Sequence, residues 1–142
     1  MKNIALLVIS LVTLTACSQG VTTMTDRTST PCGNKPNCVS TEDEREAFSL
    51  DAFVLTPNAD IDAIERIALQ LPGAKTAAKQ DNYIRVECTS KIMRFVDDLE
   101  LRIDDGKLMV RSESRVGYSD FGVNRKRAEQ LREKLSTNGL IQ

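Results

Sequence analysis

The segment of residues 95–116 constrains the fold most strongly, because alternating apolar and polar residues flank a turn of a defined type. Asp105-Gly106 is typical of a two-residue type I′ turn, in which both central residues take positive φ. A two-residue loop fixes the register of the two strands. On one face, the predicted pairs are Ile103 with Leu108, Leu101 with Val110, and Leu99 with Ser112.

Charged residues occupy the second face of this hairpin. In the predicted register, Glu100 lies opposite Arg111 and Asp98 lies opposite Glu113. A cross-strand ion pair between Glu100 and Arg111 contributes a few tenths to ~1 kcal/mol. We therefore expect Arg111 to contact Glu100 on the outer face of the sheet.

Periodic apolar residues and turn signals predict the element order β-α-β-β-β-β-α. A strand at residues 48–55 precedes a helix that follows its N-cap Asp60 and runs to about Leu71. Strands at 74–79 and 82–89 are joined by a turn at Gln80-Asp81, and a last helix begins at about Asn124. This order predicts an α+β domain in which an antiparallel sheet of four to five strands carries two helices on one face.

The N-terminal residues 1–16 are typical of a signal peptide, since a basic start precedes an apolar run too short to span a bilayer. The run ends in Leu14-Thr15-Ala16-Cys17, which resembles a bacterial lipobox and implies cleavage before Cys17 and its acylation, palmitate included. An ordinary signal peptide is the alternative. Ser18 resembles the residue that directs lipoproteins to the outer membrane, facing the periplasm. Residues 17–30 predict a flexible tether, and residues 31–142 a single domain.

Composition narrows the chemistry open to this domain. The chain has no His and no Trp, its aromatic content is 4%, and its formal net charge is −1. Without His, Ser-His-Asp catalysis, Cys-His catalysis and His-ligated zinc are excluded. Few aromatics and a near-zero charge disfavour nucleic-acid binding, and nothing indicates a cofactor. The expected partners are the membrane, through the N-terminal lipid, and an envelope protein or an anionic small molecule.

Three cysteines follow the predicted lipidation site. Cys32 and Cys38 enclose a short segment that contains Gly33 and Pro36, and export implies an oxidising compartment. A local disulfide is the favoured interpretation, because a metal site lacks further ligands and a redox pair lacks the Cys-x-x-Cys spacing. Cys88 falls at an apolar position of a predicted strand and is expected to be a buried thiol.

Basic residues concentrate late in the chain. Acidic residues outnumber basic ones between positions 42 and 105, and the reverse holds between 107 and 134. The basic stretch includes a glycine-containing connection before a helix, where backbone N–H groups, the helix dipole and guanidinium groups can hold an anion. A solvated strand edge with an amphipathic helix is the alternative. The candidate ligand- or partner-binding residues are Asp97, Arg111, Ser112, Ser114, Arg115, Tyr118, Asn124 and Arg125.

Asp97 shares the parity of the apolar hairpin face and falls opposite Ser114 and beside Ser112. Buried carboxylates and hydroxyls need hydrogen-bond partners, so this cluster predicts a buried structural network. A ligand pocket and a general acid–base role for Asp97 are the alternatives. Asp97 and Asp98 point to opposite faces of the strand, so the acidic pair does not predict a shared metal ion.

Several motifs, in one order, resemble a known family. They are PNCVS at 36–40, YIRVE at 83–87, RFVDDLE at 94–100, RSESRVGYSD at 111–120 and GVNRKR at 122–127. Over about residues 32–135 the chain resembles domain-of-unknown-function family 1499, a bacterial envelope family. The resemblance implies a domain type and no reaction.

Together these features favour a non-enzymatic envelope lipoprotein that binds a partner or an anionic ligand through the loop between Arg111 and Arg125. The alternative function is a hydrolase or transferase that uses Asp97 or Asp98 with Ser112 or Ser114. That alternative lacks a base of suitable pKa beside either serine.

Overall fold

The computed structural model describes residues 25–142, so the predicted signal peptide and the predicted lipidation site Cys17 lie outside the described residues. The elements in chain order are β1 (Cys38–Ser40), β2 (Phe53–Val54), α1 (Ile61–Ala68), β3 (Ala74–Gln80), β4 (Tyr83–Thr89), β5 (Val96–Asp104), β6 (Lys107–Ser114) and α2 (Val123–Thr137). Within residues 25–142, no helix combines the length and apolar character that a bilayer crossing requires.

The strands form one antiparallel sheet in the order β1-β6-β5-β4-β3, and β2 also pairs with β6. Both helices pack against the same apolar face of this sheet. The predicted α+β class is therefore confirmed, with six strands instead of four to five. The additional strand is β1, whose three residues are too few for alternation to be visible in the sequence.

The hairpin of β5 and β6 has the predicted register. Ile103 pairs with Leu108 at the turn, and the ladder extends to the pair of Asp97 and Ser114. Asp105 and Gly106 have φ of 44° and 71°, as a type I′ turn requires. The register of this hairpin therefore determines which residues of β5 and β6 face the core.

Two other strand predictions shift in the structure. The loop between β3 and β4 is Asp81-Asn82 and not Gln80-Asp81, because Gln80 pairs with Tyr83. The strand predicted at residues 48–55 is reduced to the two residues of β2, which pair with β6. Residues before β2 follow the edge of the sheet through single contacts, such as the bridge of Ser49 to Ser40.

The helices are capped and buried largely as their sequences predict. The Asp60 carboxylate caps α1 by accepting a hydrogen bond from the Ala63 backbone N–H at 2.7 Å. This helix ends at Ala68, three residues before the predicted end. Its apolar face and that of α2 bury Ile64, Ile67, Ala128, Leu131 and Leu135 against the sheet.

Both predictions for the described cysteines are confirmed. Cys32 and Cys38 form a disulfide with a Cα–Cα distance of 5.8 Å. Cys88 is a buried free thiol on β4, and burial raises its pKa. The disulfide joins the start of the domain to β1, the edge strand beside β6.

The N-terminal boundary of the packed domain differs from the sequence prediction. Residues 26–30, predicted to be the end of a flexible tether, lie on the outer face of the sheet, where Thr28 is fully buried. The Arg27 guanidinium contacts Glu113 at 2.6 Å and Glu100 at 3.2 Å. This segment covers charges that the hairpin places on the outer face, which explains why Glu100 is buried there.

Candidate functional site

A buried polar network lies where the sheet meets the start of α2. Asp97, near the start of β5, accepts a hydrogen bond from Arg127 Nη2 at 2.6 Å. Arg127 Nη1 donates to the Asn124 carboxamide oxygen at 2.7 Å and to Ser112 Oγ at 3.2 Å. One guanidinium group therefore joins β5, β6 and α2.

Asn124 is the centre of this network and is fully buried. Its Oδ1 accepts from Ser112 Oγ at 2.7 Å. Its Nδ2 donates to Ser114 Oγ at 2.9 Å and to the Asn37 carbonyl at 3.1 Å. Because Asn37 precedes the disulfide-bonded Cys38, the network also connects to the edge of the domain at β1.

The N-terminus of α2 is capped by a carboxylate of the chain itself. Asp120 Oδ1 accepts from the Gly122 N–H at 2.9 Å, and Asp120 Oδ2 accepts from the Asn124 N–H at 3.0 Å. These are the free backbone donors and the positive dipole end that a bound anion would use. The sequence predicts an anion-binding site at this helix start, and the Asp120 carboxylate occupies the position that a bound anion would take.

Arg111 and Arg115 lie on the outer face of the sheet, away from the network. Arg115 Nε and Nη2 donate to the two carboxylate oxygens of Asp98 at 2.8 and 2.7 Å. Arg115 Nη2 also contacts Glu87 at 2.6 Å, and these hydrogen bonds to Asp98 and Glu87 raise its pKa. Arg111 donates to Glu113 and to the Thr30 carbonyl.

The expected ion pair of Arg111 with Glu100 is not formed. Glu100 lies opposite Arg111 in the ladder, but it accepts from the Tyr83 hydroxyl at 3.0 Å and pairs with Arg27. Burial raises the pKa of Glu100, and burial together with the Glu100 charge raises the pKa of Tyr83. Arg27, which the sequence prediction placed in the tether, takes the position beside Glu100 that Arg111 was expected to fill.

The last two candidates also lie outside the network. Arg125 Nη2 donates to the Ala47 and Glu46 carbonyl groups at 3.2 and 3.4 Å. Tyr118 projects from the connection between β6 and α2 with 71% of its surface exposed. Of the predicted site residues, the structure brings together Asp97, Ser112, Ser114 and Asn124 and separates Arg111, Arg115, Tyr118 and Arg125 from them.

The network is not arranged as a catalytic centre. Ser112 is fully buried, and its hydroxyl donates to an amide oxygen, which is not a general base. Asp97 and Asp98 face opposite sides of β5, and each is held by a different arginine. Among residues 25–142, no group of three or more Cys, Asp or Glu side chains could hold a metal ion.

An apolar groove opens beside the network, between the β4–β5 loop at residues 90–95 and the β6–α2 loop at residues 115–123. Its volume is about 480 Å³, and its apolar walls come from Phe95, Val116, Phe121 and Val123. Asp97 and Ser114 also line it, so the polar network supports one side of the groove.

A second cavity of about 520 Å³ adjoins the groove and is more basic. It is lined by Lys91 and Arg94 from the β4–β5 loop and by Lys126 and Arg127 from α2, with Asp97 shared between both cavities. Lys91, Arg94 and Lys126 form no ion pair with the described residues, whereas Arg127 is paired with Asp97.

Sequence reasoning missed Arg127 and the β4–β5 loop. Arg127 follows Asn124 by three positions, so both lie on the same side of α2, and that spacing is a signal that identifies it. In the loop, Ile92-Met93 is an apolar pair without periodic partners, between Lys91 and Arg94. Such a pair in a turn between two strands indicates exposed apolar side chains.

The fold and the site define a small disulfide-bonded α+β domain, with a polar network beneath two loops that enclose an apolar groove. A family model described as "Protein of unknown function (DUF1499)" matches residues 29–135, and the chain belongs to this family. The matched region contains the disulfide, the network and both loops. Comparisons with curated proteins and with solved structures found no match.

Proposed function

We propose that this protein is a bacterial envelope lipoprotein whose domain is a non-enzymatic binding module. In this proposal, residues 1–16 are a signal peptide, and the acylated Cys17 anchors the protein in the outer membrane, facing the periplasm. The sequence supports this through the short apolar run and the lipobox-like residues that end at Cys17. A disulfide in the described domain is consistent with an oxidising compartment.

The exposed apolar residues carry the assignment of the binding surface. Nine large apolar side chains are exposed among residues 25–142, and seven of them fall within residues 92–123. They are Ile92, Met93, Phe95, Val116, Tyr118, Phe121 and Val123. Apolar clusters of this kind on a small domain mark interaction sites.

The proposed binding residues differ from those that the basic loop suggested. The guanidinium groups of Arg111, Arg115 and Arg125 are engaged by acceptors within the protein, and Asp120 occupies the helix start. We therefore assign partner binding to the apolar groove and not to an anion site between Arg111 and Arg125. The surrounding polar network is assigned a positioning role for the β6–α2 connection.

The alternative hydrolase or transferase has no supporting observation in the described domain. A serine nucleophile needs an adjacent base and access for substrate, and Ser112 has neither. Ser114 faces the groove but accepts from Asn124, and its nearest carboxylate neighbour across the ladder, Asp97, is bound to Arg127.

In-cell photo-crosslinking tests the proposed surface. A photoreactive amino acid replaces Phe121 or, as a control, Leu69, which is exposed at the end of α1. We expect an adduct with protein or with lipid from position 121 and none from position 69. Equal adducts, or none from either position, would contradict the assignment.

Metabolic labelling tests the anchor independently of the groove. Incorporation of labelled palmitate into the wild-type protein and its loss in Cys17→Ala are expected. Label that persists in the variant, or is absent from the wild type, would refute the lipoprotein assignment.

A further inference from the structure

We propose that the two loops around the groove form a second membrane contact, which inserts apolar side chains into the interface of an anionic lipid bilayer. Ile92, Met93, Tyr118 and Phe121 would enter the interface, while Lys91, Arg94 and Lys126 would contact lipid phosphates. This inference rests on the proposed function, because it names the partner of the same surface.

The β4–β5 loop holds its apolar side chains away from the domain. The Ser90 N–H donates to the Phe95 carbonyl at 2.8 Å, and the Phe95 N–H donates to Ser90 Oγ at 2.9 Å. These bonds close the base of the loop, so residues 91–94 project from it. Ile92 is 87% exposed and Met93 is 65% exposed.

The β6–α2 loop presents its aromatic side chains in the same manner. Phe121 is 95% exposed and has a φ of 53°, a left-handed conformation that is unfavourable for a large side chain. The Ser119 hydroxyl and the Asp120 carboxylate hold this turn by accepting from the Phe121 and Gly122 N–H groups. A strained residue that points an aromatic ring into solvent indicates a surface role rather than a packing role.

Unpaired cations accompany these apolar tips. Lys91 and Arg94 flank Ile92 and Met93 in one loop, and Lys126 lies in the first turn of α2. They form no ion pair with the described residues, although other arginines of the domain are heavily paired. In an anionic bilayer, acyl chains lie beneath a layer of negatively charged headgroups. Exposed apolar and aromatic side chains can enter the first of these, while adjacent Lys and Arg contact the second.

The position of the tether allows this contact. Asp26 Oδ2 lies 3.4 Å from Arg102 Nε, on β5. Arg102 is six residues along β5 from Val96, where the strand leaves the β4–β5 loop, and six strand residues span about 20 Å. Asp26 lies nine positions after Cys17, a stretch that reaches about 30 Å when extended. The acyl anchor and the two loops can therefore meet one bilayer surface.

A bilayer fits these observations better than a folded protein partner. A bilayer accepts separate projecting side chains without a complementary pocket, and its phosphates supply the anions that the three cations lack. The anchor keeps the domain close to lipid, so a weak second contact is sufficient for stable docking.

The absence of Trp from the chain provides a direct test. Phe121→Trp places the single indole at the proposed insertion point, and Leu69→Trp places it at an exposed site outside the two loops, at the end of α1. Full-length expressed protein is combined with vesicles of phosphatidylcholine alone or mixed with phosphatidylglycerol. With anionic vesicles we expect a blue shift of emission and quenching by brominated acyl chains for position 121 only.

Replacement of the three cations tests the membrane contact of the loops, and analysis of acylation at Cys17 tests the lipid anchor separately. The variant Lys91→Gln/Arg94→Gln/Lys126→Gln in the Phe121→Trp background is expected to lose most of the quenching. An indole at position 121 that stays water-exposed with anionic vesicles overturns the membrane contact, whether or not the protein is vesicle-bound. Mass spectrometry of Cys17 reports on the anchor alone, so failure of the anchor is recognised separately.

Discussion

Replacement of Asn124 by Ala removes the centre of the polar network without touching the apolar core. The Asn124 carboxamide is fully buried and joins Ser112, Ser114 and the Asn37 carbonyl. After truncation, the Ser112 hydroxyl loses its acceptor and the Ser114 hydroxyl loses a donor. Arg127 Nη1 keeps only Ser112 Oγ, and the Asn37 carbonyl keeps only the Ser114 N–H. Ser112 and Asn37 are buried, so water does not readily replace the partners that they lose.

The expected cost in stability follows from the buried hydrogen bonds that are lost. A buried polar group without a partner costs about 1–3 kcal/mol, and some of the groups around Asn124 can turn toward one another. We therefore expect the free energy of unfolding to fall by about 3–5 kcal/mol. For a domain of ordinary stability, about 5–15 kcal/mol, such a loss leaves Asn124→Ala marginally folded.

Urea unfolding followed by circular dichroism measures this loss. Asn138→Ala is the matched control, because Asn138 is exposed at the other end of the same helix. The control is expected to lose less than about 0.5–1 kcal/mol. A loss below about 1 kcal/mol for Asn124→Ala would refute the reasoning, since the network would then contribute little to stability.

Two further predictions concern the described domain. Gly73→Ala is expected to cost about 2–4 kcal/mol in thermal or urea unfolding, because an added Cβ would lie 2.1 Å from the Thr89 carbonyl oxygen at a φ of 69°. Gly139→Ala, with a φ of 67° and no close neighbour, should cost only about 1 kcal/mol; equal losses would contradict the steric argument. The Arg45 guanidinium beside Asp43 lowers the pKa of Asp43 from 3.8 to about 2. Because the folded-state pKa of Asp43 is lowered, the stability contributed by its interaction with Arg45 is present above pH 3.8 and is lost as the pH falls toward 2. An Asp43→Asn variant should lack this component of the acid-unfolding profile, and an unchanged profile would disprove it.

Local signals predicted the centre of the sheet and both helices. The Asp105-Gly106 turn determines the β5–β6 register by itself, since a two-residue loop allows one alignment of the flanking residues. The same register identified Asp97 and Ser114 as inward-facing neighbours. The caps and apolar spacing of the helices are likewise properties of short segments.

Features that depend on distant segments were not predictable in the same way. The burial of Glu100 and the pairing of Arg111 with Glu113 depend on residues 26–30, which cross the outer face of the sheet. The sequence of that segment is polar and carries no periodic signal. The β1 strand also exists only through its pairing with β6.

The candidate site was predicted in part for the same reason. Hairpin parity gave Asp97, Ser112 and Ser114, and the helix start gave Asn124. The basic loop suggested free guanidinium groups, but Arg115 is bound by Asp98 across the sheet face. The apolar groove needs two loops to be adjacent in space, a relation that neither loop sequence contains.

The polar network is assigned a role in stability, and the apolar groove is assigned a role in binding. The most direct test is in-cell crosslinking from a photoreactive residue at position 118, with Phe121→Ser as the second change. Phe121 is almost wholly exposed, so its replacement should leave the free energy of unfolding unchanged within about 0.5 kcal/mol. We predict a clear loss of the adduct, whether with protein or with lipid, in a fully folded variant. An undiminished adduct would contradict the assignment of binding to the groove.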